Sequence, residues 1–453
     1  DSLGGRSNIV VDGVSPVVAR VTSPSDGTYI AGQNLDFTVN FSESVVVSTV
    51  SGTPRIAVTL DTGGTVYADY VSGSGGSALV FRLTVASGQL DTNGITLGSA
   101  VQLNGGSISD VAGNDTVVTL NSVGSTANIN VDGVAPAVLS VVAPGDGSYK
   151  AGDVLTFTVN ASEGVVVNTS NGTPRLVLTV GGVTRYASYI SGAAGGALLF
   201  QYTVQAGDTA ASGLVVGNTL DLNGGTVRDP AGNALNLNLN GLSNAGNVLI
   251  DTTLPTASNL VRVDASPSNS GSVSYTLTFN ENVSGVDASD FNLLFTGTAS
   301  GNIASITQVD GRTYTILIDA IGGAGSLRLN LNASGTGIVD AAGNAIVGGL
   351  AGASYSIDRV APSVVSVDVP AAGTYVAGQN LDFTVHLDEA VQLSVANGTP
   401  RIEVLLDNGT TAYATYLSGA GTNALVFRLT VANGQLDTNG ITLGSAIQLN
   451  GAT

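Results

Sequence analysis

No cysteine, methionine or tryptophan occurs anywhere in the 453 residues. Disulfides, thiolate metal sites and thiol nucleophiles are thereby excluded. Without a methionine the chain does not begin at its own start codon, so an excised or processed piece is expected. A single histidine, His386, leaves no material for a histidine-based triad or zinc site. Charged residues make up only 10%, against about 25% in ordinary globular chains. The 14 bases face 33 acids, for a net charge of −19. Nucleic acids and anionic membranes select clustered Lys and Arg, so neither is an expected partner. No long apolar run suited to membrane insertion and no signal-peptide pattern is present. The glycine-rich stretches 73–76 and 192–196 precede strand patterns rather than helices, so they are not phosphate loops. No catalytic constellation emerges, and no enzyme is expected.

Glycine is abundant, at 61 residues, alongside Val, Thr, Leu, Ser and Asn. That mixture suits short strands joined by tight turns, and it is too apolar for disorder. Leu35–Phe41 alternates Leu35, Phe37, Val39 and Phe41 on one face. The patterns at Leu155–Val159, Tyr275–Phe279 and Leu381–Val385 are alike. Period-two patterning predicts half-buried strands, and no segment carries a convincing helical period.

The chain also repeats itself. Val11–Pro16 returns as Val131–Pro136, with Ala135 in the place of Ser15, and, further altered, as Ile250–Pro255 and Ile357–Pro362. A period of 107–120 residues means a tandem array of small domains. Repeat 1 spans 13–132, repeat 2 spans 133–251, repeat 3 spans 252–358 and repeat 4 spans 359–453. Repeats 1, 2 and 4 share Gly-Thr-Pro-Arg, at Gly52–Arg55, Gly172–Arg175 and Gly398–Arg401. They also share a pair of tyrosines three apart: Tyr67/Tyr70, Tyr186/Tyr189 and Tyr413/Tyr416. Repeat 3 lacks both motifs and forms a second subtype. Repeat 1 reads as seven strands: Val17–Thr22, Leu35–Phe41, Arg55–Leu60, Thr65–Val71, Ala78–Val85, Ile95–Leu103, and one within Val117–Val131 broken near Gly124. Seven such strands predict an immunoglobulin-like sandwich. The fold class is therefore all-β: tandem immunoglobulin-like β-sandwich domains arranged end to end.

The ends fall out of phase with the period. Residues 1–12 align with Asn121–Asp132, the last strand of a repeat, while repeat 4 stops before its own last strand. Either the chain is a window on a longer array, or 1–12 is a donor strand that completes repeat 4 of another copy.

Acidic motifs recur with the period. A linker aspartate occurs at Asp12, Asp132, Asp251 and Asp358. A glutamate follows the second strand at Glu43, Glu163, Glu281 and Glu389. A third motif, Asp-x-Ala-Gly-Asn, supplies Asp110 and Asn114, Asp229 and Asn233, and Asp340 and Asn344. Strand parity places all three motifs at one pole of each domain. Carboxylates and an amide carbonyl are hard oxygen ligands, which suit Ca²⁺ better than Mg²⁺. Each motif taken alone also reads as a turn. Asp287 and Asp290 of repeat 3 read as a solvated loop, with extra cation ligands as the alternative. The Arg of Gly-Thr-Pro-Arg is expected to pair within its sheet, with one tyrosine of each pair in the core and the other at the surface. Asn168, Asn171, Asn397 and Asn408 head glycosylation sequons, relevant only in a glycosylating host.

Together these motifs carry a resemblance. Asp-x-x-x-Pro, Gly-Thr-Tyr-x-Ala-Gly, Phe-Thr-Val-x-x-Ser-Glu, Gly-Thr-Pro-Arg, Leu-Asn-Gly-Gly and Asp-x-Ala-Gly-Asn are similar to the bacterial Ig-like repeats of giant secreted adhesins of the RTX and biofilm type. Repeat 3 resembles a second repeat type of such proteins through Val286–Phe291 and Ile338–Asn344. The resemblance covers essentially the whole chain. It implies extracellular extender modules, stiffened by Ca²⁺ at interdomain junctions, on a bacterial surface or in a biofilm matrix. The partners are then the neighbouring repeats of the same chain. A self-assembling filament of copies joined through the donor strand is the alternative, and a carbohydrate-binding module is a third reading.

Overall fold

The computed structural model describes residues 9–407 and 409–453. Most of the segment 1–12 and the sequon residue Asn408 therefore lie outside the described residues. Described residues Ile9 to Asp12 form no strand. The fold is all-β, in tandem immunoglobulin-like sandwiches. Among the described residues the one helical turn is a 3₁₀ turn at Ala288–Asp290. Among the described residues no helix is long and apolar enough to cross a membrane. The chain divides into two compact units, Asp1–Pro255 with Val339–Ile346, and Thr256–Ile338 with Val347–Thr453.

Repeat 1, in the first unit, comprises ten strands rather than seven. They are β1 (Val18–Thr22), β2 (Gly27–Ile30), β3 (Asn34–Ser48), β4 (Arg55–Thr59), β5 (Thr65–Ser72), β6 (Gly76–Thr84), β7 (Leu90–Asp91), β8 (Thr96–Gln102), β9 (Ser107–Ser109) and β10 (Ile129–Asp132). The three additional strands, β2, β7 and β9, are short, of two to four residues, too brief for alternation to betray them. β3 runs on past Phe41, so Glu43 lies within this strand instead of after it. The hydrogen-bonded path is β1-β3-β6-β5-β4-β8. Isolated bridges Ala100↔Thr119 and Val17↔Val117 carry the path from β8 back to β1. The last strand foreseen over Val117–Val131 is thus a set of single bridges followed by β10, with Ser122 at φ 44° in the break.

β10 closes the core. It pairs in parallel with β2 and antiparallel with β7, and its Ile129 and Val131 are 0% exposed. Around them pack Leu35, Phe37, Val39, Ile56, Val58, Leu79 and Phe81. Repeat 2 repeats the plan, with Val248–Asp251 between Gly147–Tyr149 and Thr209–Ala210.

In the second unit, repeat 3 stacks two four-stranded sheets. Here Asp287 is exposed, as a solvated loop requires, but Asp290 is not. They form a capping box on the 3₁₀ turn, and Asp290 is 0% exposed. Its carboxylate accepts from the Asp287 and Gly337 amides at 2.8 and 3.3 Å. Burying a carboxylate is tolerated when backbone donors satisfy it in this way. Repeat 4 keeps the six-strand path from Val364–Asp368 to Thr442–Gln448.

The shared motifs are scaffold. Arg55, Arg175 and Arg401 stack on Tyr67, Tyr186 and Tyr413 at 3.6–3.8 Å. The same guanidinium groups donate to Gln102, Asp221 and Gln448. The second tyrosines, Tyr70, Tyr189 and Tyr416, meet Phe81, Phe200 and Phe427 edge-on. Gly172 is required by space, since a Cβ there would lie 1.7 Å from the Asn223 carbonyl oxygen. Gly172→Ala is accordingly expected to destabilise repeat 2 by about 1–3 kcal/mol through overpacking. A denaturant midpoint equal to that of the parent would contradict this.

Candidate metal centre

The linker aspartates share one local geometry. Oδ1 of Asp12, Asp132, Asp251 and Asp358 accepts from the amide two residues on, at 3.2, 3.1, 2.9 and 3.3 Å. This is an Asx turn, which bends the chain as it leaves one domain. In each case the turn occupies one carboxylate oxygen.

The Asp-x-Ala-Gly-Asn loop is equally self-contained. Asp229 Oδ1 accepts from the Asn233 amide at 2.8 Å, and Oδ2 accepts from the Asn233 side chain at 2.8 Å. The same side-chain nitrogen donates to the main-chain oxygen of Asp132 at 2.9 Å. Asn114 makes the equivalent bond to Asp12, and Asn344 to Asp251, at 3.3 and 2.9 Å. The asparagine therefore ties the linker to the loop through its amide nitrogen, leaving Oδ1 as the atom that a cation would use. Asp110, Asp229, Asp340, Asn233 and Asn344 are all buried. The bond from the Asn114 side chain, aided by backbone amides and opposed by burial, holds the Asp110 carboxyl below the usual carboxylate range.

The residue before each glutamate is the part that sequence reasoning passed over. Ser42 Oγ, Ser162 Oγ, Asn280 Oδ1 and Asp388 Oδ1 accept from the amides of Val17, Ala137, Thr256 and Ser363 at 2.7–3.1 Å. Each such bond pins the glutamate's strand to the segment that follows the linker proline. The signal was present, because a short polar acceptor precedes Glu in all four repeats. Lys150 was overlooked as well. Its Nζ donates to the Gly343 carbonyl, inside the third Asp-x-Ala-Gly-Asn loop, at 2.8 Å.

At the first linker the structure brings Asp12, Glu43 and Asp110 together. One carboxylate oxygen from each lies within 4.8 Å of the others. Oxygens on opposite sides of a Ca²⁺ ion, each about 2.4 Å from it, are separated by about that distance. Among the described residues, none of the three forms an ion pair with Lys or Arg. The donor set thus fits a hard divalent cation. At the second linker Glu163 is pushed above its ordinary range, first by burial and then by Asp229 and Asp132. Glu389 is likewise raised, first by loss of water and then by Asp358 and Asp388. Repeat 4 contains no Asp-x-Ala-Gly-Asn. Asp251, Asp340 and Asn344 come together in the first unit, while Glu281 follows Val273–Phe279 in the second.

No protein-family model matches the chain, and no curated protein does. Among solved structures it is similar to a plexin A4 full extracellular region at 9% identity and TM-score 0.21. That match covers 94% of this chain, which spans about half (47%) of the plexin chain. Two marsupial T cell receptor chains match at 12% and 11% identity, with TM-scores of 0.17 and 0.16. They cover 50% and 70% of this chain, and 98% and 96% of their own.

Two outcomes are expected. A raised carboxyl pKa in the folded state means that ionised Glu163 opposes folding above that pKa, and the penalty fades as pH falls through it. In chelator at pH 7, Glu163→Gln should therefore melt above the parent by up to about 1 kcal/mol, less in high salt. The gap should close on acidification, and a lower melting temperature for the variant would contradict the repulsion. Asp110 behaves oppositely, since its lowered pKa gives stability above the unfolded value that is lost as pH falls through the folded one. Asn233→Ala removes the tie to Asp132 and leaves Asp229 under-satisfied, at a cost of about 1–3 kcal/mol with or without cation. Unchanged melting would argue against the tie.

Proposed function

We propose that the chain is a structural array of extracellular extender domains, of the kind used by bacterial surface or biofilm-matrix adhesins, with Ca²⁺ at its linkers. The observation that carries the reading is the approach of the Asp12, Glu43 and Asp110 carboxylates without a compensating base. Three anions held this close repel, and a divalent cation turns that repulsion into cross-links. Asp12, Glu43, Asp110 and Asn114 would hold the ion at the first linker. Asp132, Glu163, Asp229 and Asn233 would form the second site, which joins repeat 1 to repeat 2. The ion supplies charge neutralisation and rigidity there, and no bond-breaking chemistry is called for.

The remaining features support a mechanical role over a ligand-binding one. Each first tyrosine of the paired motif has a ring face covered by arginine, which removes a platform for stacking sugars. The recurrent residues serve turns, strand starts and linkers. With few charges and no oxidisable cysteine or methionine, such domains suit an oxidising exterior.

A ligand that binds only the folded state raises stability with its concentration. Melting of the full chain should therefore rise in millimolar Ca²⁺ relative to EDTA, by about 3 kcal/mol at a hundredfold excess over Kd. Asp132→Ala together with Glu163→Gln should remove the share of repeat 2. Identical melting in Ca²⁺ and EDTA would mean that the acids serve their turns alone.

A further inference from the structure

Asp91 is a carboxylate in a place that suits an apolar side chain. β7 pairs with β10 so that Leu90 meets Asp132 and Asp91 meets Val131. In repeat 2 the register is the same, with Thr209 opposite Asp251 and Ala210 opposite Ile250. Asp91 thus stands where repeat 2 has Ala210, and each is 3% exposed. Directly opposed residues share a face of the sheet, so Asp91 lies on the face that Val131 turns to the core. Asp132 is one residue on and points the other way, which separates Asp91 from the linker acids.

The buried aspartates differ in how their oxygens are satisfied. Both carboxylate oxygens of Asp110, Asp208, Asp229, Asp290 and Asp340 accept hydrogen bonds. Asp91 Oδ2 accepts from the Asp61 amide at 3.2 Å, but Asp91 Oδ1 is buried with no partner among the described residues. A buried carboxylate with an unsatisfied oxygen is costly. An uncharged acceptor such as Asn would serve the Asp61 amide equally well. The fold does not ask for the charge, since repeat 2 forms the same strand pair around Ala210.

A second acid adjoins the first. The Asp61 carboxylate accepts from the Thr92 amide and hydroxyl at 2.9 and 3.2 Å, and from the Asn93 side chain at 2.9 Å. These bonds, led by the Thr92 amide and opposed by loss of water, hold Asp61 below the usual carboxylate range. Among the described residues neither Asp61 nor Asp91 forms an ion pair with Lys or Arg. The Asn93 nitrogen is spent on Asp61, which leaves its Oδ1 as a further hard donor. Repeat 2 has Gly181 in the place of Asp61, and a Cβ there would lie 2.1 Å from the Thr209 carbonyl oxygen. Repeat 4 has both acids, as Asp407 and Asp437. There Asp437 Oδ1 accepts from the Gly440 amide at 2.7 Å, so the open oxygen belongs to repeat 1.

We propose that Asp91 and Asp61 hold a divalent cation of the Ca²⁺ type inside repeat 1, at the turn between β4 and β5. Asn93 Oδ1 is a third donor, and solvent water completes the six to eight oxygens that Ca²⁺ takes. Two carboxylates neutralise the ion, and the ion satisfies the open oxygen of Asp91. The site is internal to one domain and separate from the linker acids, so each can fill without the other.

The test is hydrogen–deuterium exchange of the full chain in Ca²⁺ and in EDTA, read at 61–64 and 92–94. Amides exposed by local opening should exchange up to about a hundredfold more slowly at a hundredfold excess of Ca²⁺ over Kd. Asp91→Ala introduces the residue that repeat 2 carries, so the fold stays intact by circular dichroism. In this variant the Ca²⁺ effect at 61–64 and 92–94 should vanish while that at 110–114 persists. Asp61→Asn, at an exposed position, should weaken the effect as well. Equal exchange of 61–64 and 92–94 in both buffers would overturn the proposal, whatever 110–114 does. A Ca²⁺ effect undiminished in either variant would also overturn it. Slowing at 61–64 and 92–94 with none at 110–114 would support this site and count against the linker reading alone.

Discussion

The strand that closes each core ends on the aspartate that begins the linker, and the architecture hangs on that continuity. β10 contributes Ile129 and Val131 to the core of repeat 1 and finishes at Asp132. The main-chain oxygen of Asp132 accepts from Asn233 of repeat 2, and its carboxylate helps to raise Glu163. One short segment therefore completes one domain and docks on the next. Loosening the core and loosening the joint become coupled events.

That coupling gives the recurrent acids two tasks. Asp110 and Asp229 hold their own loops through both carboxylate oxygens. The same groups converge with Asp12 and Glu43, or with Asp132 and Glu163. Turn formation explains why each residue is an Asp or Asn. It does not explain why Asp12, Glu43 and Asp110 meet with no Lys or Arg paired to any of them among the described residues. A bound divalent ion would account for that placement, and the loops' internal bonds would keep the ligands preorganised before it arrives.

Much of this was legible in the sequence. The all-β class follows from alternation, and strand parity gives a reason for the meeting of Asp12, Glu43 and Asp110. That the two tyrosines of each pair face opposite ways follows from three-residue spacing on a strand, whereas the stacking of Arg on the first of them was not foreseen. Other features were hidden for identifiable reasons. β2 and β7 are stabilised by pairing with β10 on either side, which single-strand pattern does not reveal. Asp290 read as a loop residue because its donors come from residues as distant as Gly337. The asparagine side chain was read through its carbonyl oxygen alone, and the bond of its amide nitrogen to the linker was not foreseen. The need for glycine at Gly172 was not legible, because the Asn223 carbonyl that demands it is distant in sequence.

Hydrogen–deuterium exchange of the full chain, compared in Ca²⁺ and in EDTA, addresses the linker directly. The account predicts slower exchange in Ca²⁺ at 110–114 and 229–233, with the strands of the cores unchanged. Equal exchange of both loops in the two buffers would contradict it.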